Sequence, residues 1–197
     1  MSITLTENAK VGMKPDTRQA SNNDQLSANR GADGSAIRSE QTHVAYVPAG
    51  TGKAYKSPID QVTILLTGEQ TGGSIFMAEA IVPPGCGNPP HIHARENETF
   101  YVQQGTLTIQ VGDETLHALP GDVVQLPSNV VHSFKNTGNV NAKVLVVAEP
   151  AGLEKFFEEA FYPATDWPEA MPPMNDLFMG RIIAAAQKCG LTFLPPA

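Results

Sequence analysis

The sequence predicts an all-β domain, a sandwich or barrel of mostly antiparallel strands, and three observations carry that expectation. Eight short apolar or alternating runs fall between residues 43 and 150. Turn signals built on Gly, Pro and Asn separate them, at the spacing of strands rather than helices. Gly contributes 17 and Pro 16 of the 197 residues, a balance that favours many turns over long helices.

Taken in order, residues 1–42 are rich in Ser, Asn, Asp, Gln, Thr and Gly without a period-2 or period-3.6 apolar pattern. Such a segment buries too little apolar surface to offset its ordering entropy, so it is expected to be a flexible polar arm. The alternative is an extra edge strand laid on a partner subunit. The barrel segment, 43–150, carries the runs VTILL (62–66), SIFMAEAIV (74–82), ETFYV (98–102), TLTIQV (106–111), ETLHAL (114–119), DVVQL (122–126), HSFKN (132–136) and AKVLVVA (142–148). Thr71-Gly72-Gly73, Pro83-Pro84-Gly85 and Pro120-Gly121-Asp122 are among the turns between them.

After Glu149 the period lengthens. GLEKFFEEAF (152–161) places Leu153, Phe156, Phe157, Ala160 and Phe161 on one helical face. A Pro-rich stretch, 163–173, precedes a second helix that Asn175 caps and Gly190 stops, with Leu177, Ile182, Ile183 and Ala186 as its apolar positions. These helices, in residues 151–197, are expected to pack on the barrel, and LTFLPPA closes the chain as a tail.

Composition excludes several classes. Thirteen basic against twenty acidic residues leave a net charge of −7, and no Lys/Arg cluster relieves it, so nucleic acid is not an expected partner. No apolar run approaches the roughly 18 residues of a membrane helix. Two cysteines in no framework spacing and the absence of a signal-peptide pattern lead to an expected cytoplasmic location.

The chemistry concentrates between Gly85 and Gly105. His91 and His93 are two apart, so on a strand both imidazoles emerge on one face. A bend at 94–97 returns the chain so that Glu98 points into the same space. Further on, Gly121, a turn at Pro127-Ser128-Asn129, and a returning strand bring in His132. Three of the five histidines thus fall in one pattern. Three imidazoles and a carboxylate are ligating chemistry for one divalent transition metal, with Fe, Mn or Ni favoured over Co or Zn. If Glu98 points inward, Phe100 and Val102 do too, while Thr99 and Tyr101 face out; Phe134 joins His132. These three residues are the expected substrate pocket, mostly apolar and aromatic. The neighbouring strand must add Ile81 or Met77 with Ile75 or Phe76, its register undecided.

The two segments resemble the paired motifs of the cupin superfamily, G-x5-H-x-H-x4-E-x6-G and G-x5-P-x-G-x2-H-x3-N. The first matches throughout; the second matches at Gly121, Pro127, His132 and Asn136 but has Asn129 in place of Gly. Asn tolerates left-handed turns, so the departure is compatible with the fold. The resemblance implies a double-stranded β-helix, or jelly-roll, barrel enclosing a 3-His-1-Glu site, and a homodimer. It also favours Glu98 over Glu96 as the ligating carboxylate. His117 is expected to face solvent, Cys86 to be an inert loop cysteine and Trp167 a packing anchor.

From about Tyr46 onward the chain further resembles single-domain bacterial cupins related to flavonol (quercetin) dioxygenases. Gly68-Glu69-Gln70-Thr71, and Pro150-Ala151-Gly152 followed by Phe156-Phe157, carry that likeness. It implies a dioxygenase acting with dioxygen on a small enolisable aromatic molecule, Glu98 serving as both ligand and general base. Two other classes compete: a non-catalytic metal-dependent binder of small ligands, and an isomerase or decarboxylase for a small keto acid. The scarcity of cations near the motif, Arg95 alone, counts against the last.

Overall fold

Alternation of apolar and polar side chains over short runs makes one face of each run worth burying, and pairing satisfies the backbone. In the computed structural model, which describes residues 44–166 and 175–195, this yields twelve strands in two antiparallel sheets. The strands are β1 (Lys53–Lys56), β2 (Gln61–Leu66), β3 (Phe76–Val82), β4 (Gly87–His93), β5 (Asn97–Gln104), β6 (Leu107–Val111), β7 (Glu114–Ala118), β8 (Val123–Leu126), β9 (His132–Asn136), β10 (Ala142–Glu149), β11 (Tyr162–Pro163) and β12 (Leu191–Phe193). The helices are α1 (Gly68–Thr71), α2 (Glu154–Ala160) and α3 (Asp176–Cys189).

One sheet runs β11-β1-β2-β3-β10-β5-β8 and the other β12-β4-β9-β6-β7. Each of the eight apolar runs lies in a strand. The four additional strands are β1, β4, β11 and β12. LTF, expected as part of a tail, is instead β12, pairing with β4 so that Leu191 faces His93 and Phe193 faces His91. Three residues are too short to display a period; the long-range pairing makes the strand. The segment after residue 150 therefore contributes to both sheets besides its helices.

The core lies between the sheets, with Phe76, Leu107, Ile109 and Leu126 wholly buried. The open register of β3 resolves to Phe76, Ala78, Ala80 and Val82 inward, leaving Met77 and Ile81 on the other face. Two alanines on an inward face leave space that larger residues would have filled. Parity along β5 is as expected: Glu98, Phe100 and Val102 are buried, and Tyr101 is exposed.

The turns follow their chemistry. Asn129, where the resembled motif has Gly, takes φ +62, within the left-handed region that Asn tolerates, and its backbone amide donates to the His93 carbonyl at 2.8 Å. Gly105 ends β5 at φ +76, where a Cβ would lie 2.7 Å from Ala142 Cα. Asn136 is fully buried: its Nδ2 donates to the Val82 and Val140 carbonyls at 2.8 Å each, and its Oδ1 accepts from the Gly138 amide at 2.9 Å. Truncation would orphan two carbonyls and one amide. Asn136→Ala is expected to cost about 2–4 kcal/mol, read as a lower urea midpoint at unchanged slope.

Asn175 caps α3, its Oδ1 accepting from the Phe178 amide at 2.9 Å, and Gly190 ends it at φ +74. The buried face of α3 differs from expectation. Ile182 and Ala186 are buried, but Leu177 is 84% and Ile183 46% exposed, and Phe178, Ala185 and Cys189 complete the face. On α2 and its flanks Leu153, Phe156, Ala160 and Phe161 are buried, and Phe157 stacks on Phe76 at 5.8 Å. Glu154, an acidic residue on this apolar element, is buried because it bonds two amides, Gly68 at 2.8 Å and Gly152 at 3.0 Å. Residues 1–42 and Trp167, on which expectations were stated above, lie outside the described residues.

Candidate metal centre

Both sheets contribute to one cluster. His91 and His93 sit on β4, and His132 opens β9 directly opposite His91. Glu98 comes from β5 in the other sheet, paired with Leu126 and Ala148. All four side chains are buried. One donor atom from each lies within 4.8 Å of every other.

The orientation of the rings is set by the backbone. His91 Nδ1 is 3.0 Å from the Pro89 carbonyl and His132 Nδ1 is 3.0 Å from the Val130 carbonyl. A carbonyl can only accept, so each Nδ1 carries the proton and each Nε2 presents a lone pair to the cluster. Glu98 Oε2 lies 3.3 Å from His93 Nε2 and 3.2 Å from His132 Nε2. An imidazole lone pair and a carboxylate oxygen repel at that distance unless a proton or a cation lies between them. Two donors about 2.1 Å from one ion and at right angles stand about 3 Å apart, which these distances match. The donor set therefore fits a divalent transition metal.

Titration reflects the crowding. Burial lowers His91 to about 4, and the neighbouring His132 adds to the effect. For His93 burial also opposes the charge, but Glu96 and Glu98 outweigh it and raise the ring to about 9. Burial would raise Glu98; the hydrogen bonds with His132 and His93 overcome it and hold the carboxyl well below the usual carboxylate range.

Glu96 was read only as a rival for Glu98. It does not join the four-residue cluster, yet it is buried at 1% exposure, with its Oε2 3.8 Å from His93 Nδ1. Neither group has a hydrogen-bond partner among the described residues. A carboxylate facing the outer nitrogen of a ligating histidine orients the ring and raises its basicity. Nothing in local spacing signals this, because the bend at 94–97 reads as exposed.

The cluster opens on a cavity of about 330 Å3. Phe100 and Phe134 line it, edge to face with ring centroids 5.6 Å apart. Val102 is buried further along β5 and is not part of the lining. Sequence reasoning missed most of the wall: Phe156, Phe161, Phe178, Ile182 and Phe193 come from α2, α3 and β12 and their flanks. No Lys or Arg among the described residues lines it; Arg95 is 57% exposed. His117 is exposed and contacts Thr108 at 3.1 Å, and Cys86 is half-buried with a free thiol. No helix among the described residues is long and apolar enough to cross a membrane.

Residues 78–148 match the family model of the cupin domain. Quercetin 2,3-dioxygenase of Bacillus subtilis is 30% identical over 103 residues, which is 47% of this chain and 30% of that protein. Germin-like protein 4-1 of Oryza sativa is 36% identical over 107 residues, 49% of this chain and 42% of that one. The chain thus spans less than half the length of either relative. A crystal structure described as a predicted oxalate decarboxylase from Thermotoga maritima aligns with TM-score 0.50 at 24% identity, over 54% of this chain and 99% of that one, a likeness of fold.

Proposed function

We propose that this chain, a cupin over residues 78–148, holds one divalent transition metal on His91, His93, Glu98 and His132 and acts as a dioxygenase on a flavonol-like or other enolisable aromatic molecule. The observation that carries the reading is the junction of the four donors with an aromatic-walled cavity whose described lining holds no Lys or Arg. A small keto acid or sugar phosphate would need such a cation; a flat molecule ligating through oxygen does not. The similarity to the Bacillus quercetin 2,3-dioxygenase supports the same class.

A bound ion of this type, Fe, Mn or Ni in preference to Co or Zn, supplies Lewis acidity toward a ligating oxygen and an electron path to dioxygen. The protein's own groups do the rest. Phe100 and Phe134 clamp the ring against the cluster, while the aromatic residues of α2, α3 and β12 keep water out. Glu98 takes the enolic proton at Oε1, its Oε2 being the oxygen that faces His93 and His132.

The test is elemental analysis of the purified chain, followed by oxygen-electrode assays with flavonols after loading each candidate metal. Uptake stoichiometric with flavonol supports the dioxygenase. Tight flavonol binding with no uptake under any metal replaces it with a small-ligand binder.

Metal binding should also depend on pH with a defined sign. His93 is protonated below about 9 and must shed that proton to ligate. Apparent Mn(II) affinity should therefore rise about tenfold per pH unit between 6 and 8 and level off above 9, measured by competition with a chelator. His91, lowered to about 4, adds no second proton in that range. A flat profile would remove His93 from the ligand set.

A further inference from the structure

The cavity has a second polar end, formed by the connection between β1 and β2. Ser57, Pro58, Ile59 and Asp60 all line it. Ser57 is buried, and its hydroxyl donates to Asp60 Oδ1 while accepting from the Ile59 and Asp60 amides at 3.2 Å each. The Ser57 hydroxyl is thereby fully used, and it fixes the Asp60 rotamer. A carboxylate offers about four acceptor positions, and the described contacts use one of them. Burial raises the Asp60 carboxyl to about 6, with the Ser57 bond pulling it back, so it is an anion at neutral pH in a mostly apolar wall. A neutral side chain would avoid that desolvation.

Strand register sets how far this end lies from the ligating cluster. Glu98 is level with Ala148, and Ala148 with Phe76. Gln61, next to Asp60, is level with Ile81, five residues along β3 from Phe76, an offset of about 17 Å along the strand direction. Ala78 and Ala80, the small inward residues between these levels, keep the passage open. At the packing density of protein interiors the cavity takes a ligand of about 15–20 non-hydrogen atoms.

We propose that Asp60, held by Ser57, is a specificity-determining residue that accepts a hydrogen bond from a hydroxyl on the end of the ligand remote from His91, His93, Glu98 and His132. The ligand class is then an aromatic molecule with a ligating oxygen at one end and a phenolic or alcoholic hydroxyl at the other. This rests on reading the cavity as the ligand site, but not on the flavonol class or on oxygen chemistry. A neutral hydroxyl suits this end better than an ammonium, whose desolvation Asp60 would have to offset by itself, the other lining carboxylate, Glu98, lying at the cluster.

The test uses 2-naphthol and 2-methoxynaphthalene, which share ring and oxygen but differ in whether they can donate and by one methyl group, a size difference that the Asp60 variants leave in place. Titrated by fluorescence into the full metal-loaded chain, 2-naphthol should bind about 10–100-fold tighter, the ratio expected of a hydrogen bond to a charged acceptor. In Asp60→Asn and Asp60→Leu the two compounds should bind within about threefold of each other. Asp60→Asn keeps an acceptor for Ser57 and should melt no lower than the parent, so a lost preference is not lost folding. A merely structural Asp60 would weaken both compounds equally. The proposal is overturned by equal binding in the parent, by binding of neither compound, or by a preference that survives in both Asp60 variants. No oxygen uptake enters the assay, so its failure is distinct from failure of the dioxygenase reading.

Discussion

The Glu98→Gln protein is expected to consume oxygen with flavonols at least about 10²-fold more slowly than the parent while keeping much of its metal. Gln preserves the volume and one ligating oxygen, so His91, His93 and His132 still converge on the same point. It removes the negative charge and the ability to take a proton, a function typically worth about 10²–10⁴ in rate. Buried among three imidazoles, Glu98 is held well below the usual carboxylate range and is a weak base in isolation. An ion held by His91, His93, Glu98 and His132 would supply Lewis acidity that favours loss of the enolic proton to Glu98. The measurement is single-turnover oxygen uptake normalised to metal content. Undiminished uptake would leave Glu98 a ligand only and end its role as base.

Equally large effects are expected from His132→Ala, this time on binding. His132 is the one member of the cluster from β9, and its Nδ1 is anchored on the Val130 carbonyl, so Ala removes both the donor atom and the contact that aims it. Any ion that binds only the folded chain stabilises it by about 2.7 kcal/mol at a hundredfold excess over Kd. For a chain of this size that raises the melting temperature by about 5–10 °C. The parent should show this rise on adding Mn(II) or Ni(II) and bind one ion per chain; His132→Ala should show neither. His117→Ala is the control, since His117 is exposed beside Thr108 and should leave the rise intact. A rise that survives in His132→Ala would dissolve the proposed site.

How much of this was legible follows from the range over which each signal acts. Inward Glu98 and Phe100 and outward Tyr101 are consequences of period 2 along one strand. The Asn175 cap, the Gly190 stop and the left-handed Asn129 are consequences of side chains bonding or tolerating their own backbone. Leu177 and Ile183 went astray because several stripes of α3 look apolar, and only packing selects the one bearing Phe178, Ile182 and Ala185. Val102 was right in parity but wrong in depth, because parity gives a face and not a position along the cavity.

The sequence by itself determined that the chain would alternate into antiparallel strands, where they would turn, and that three imidazoles and a carboxylate would sit at spacings able to share a face. Those are properties of neighbours within a few residues, set by backbone periodicity and local hydrogen bonding. Tertiary structure alone decided what stands opposite that face: Phe193 beside His91, Glu96 behind His93, Ala78 and Ala80 leaving room, and Asp60 at the far end. These meetings depend on which strands pair and in what register. That choice is made by burial and hydrogen bonding across the whole chain, which no local pattern encodes.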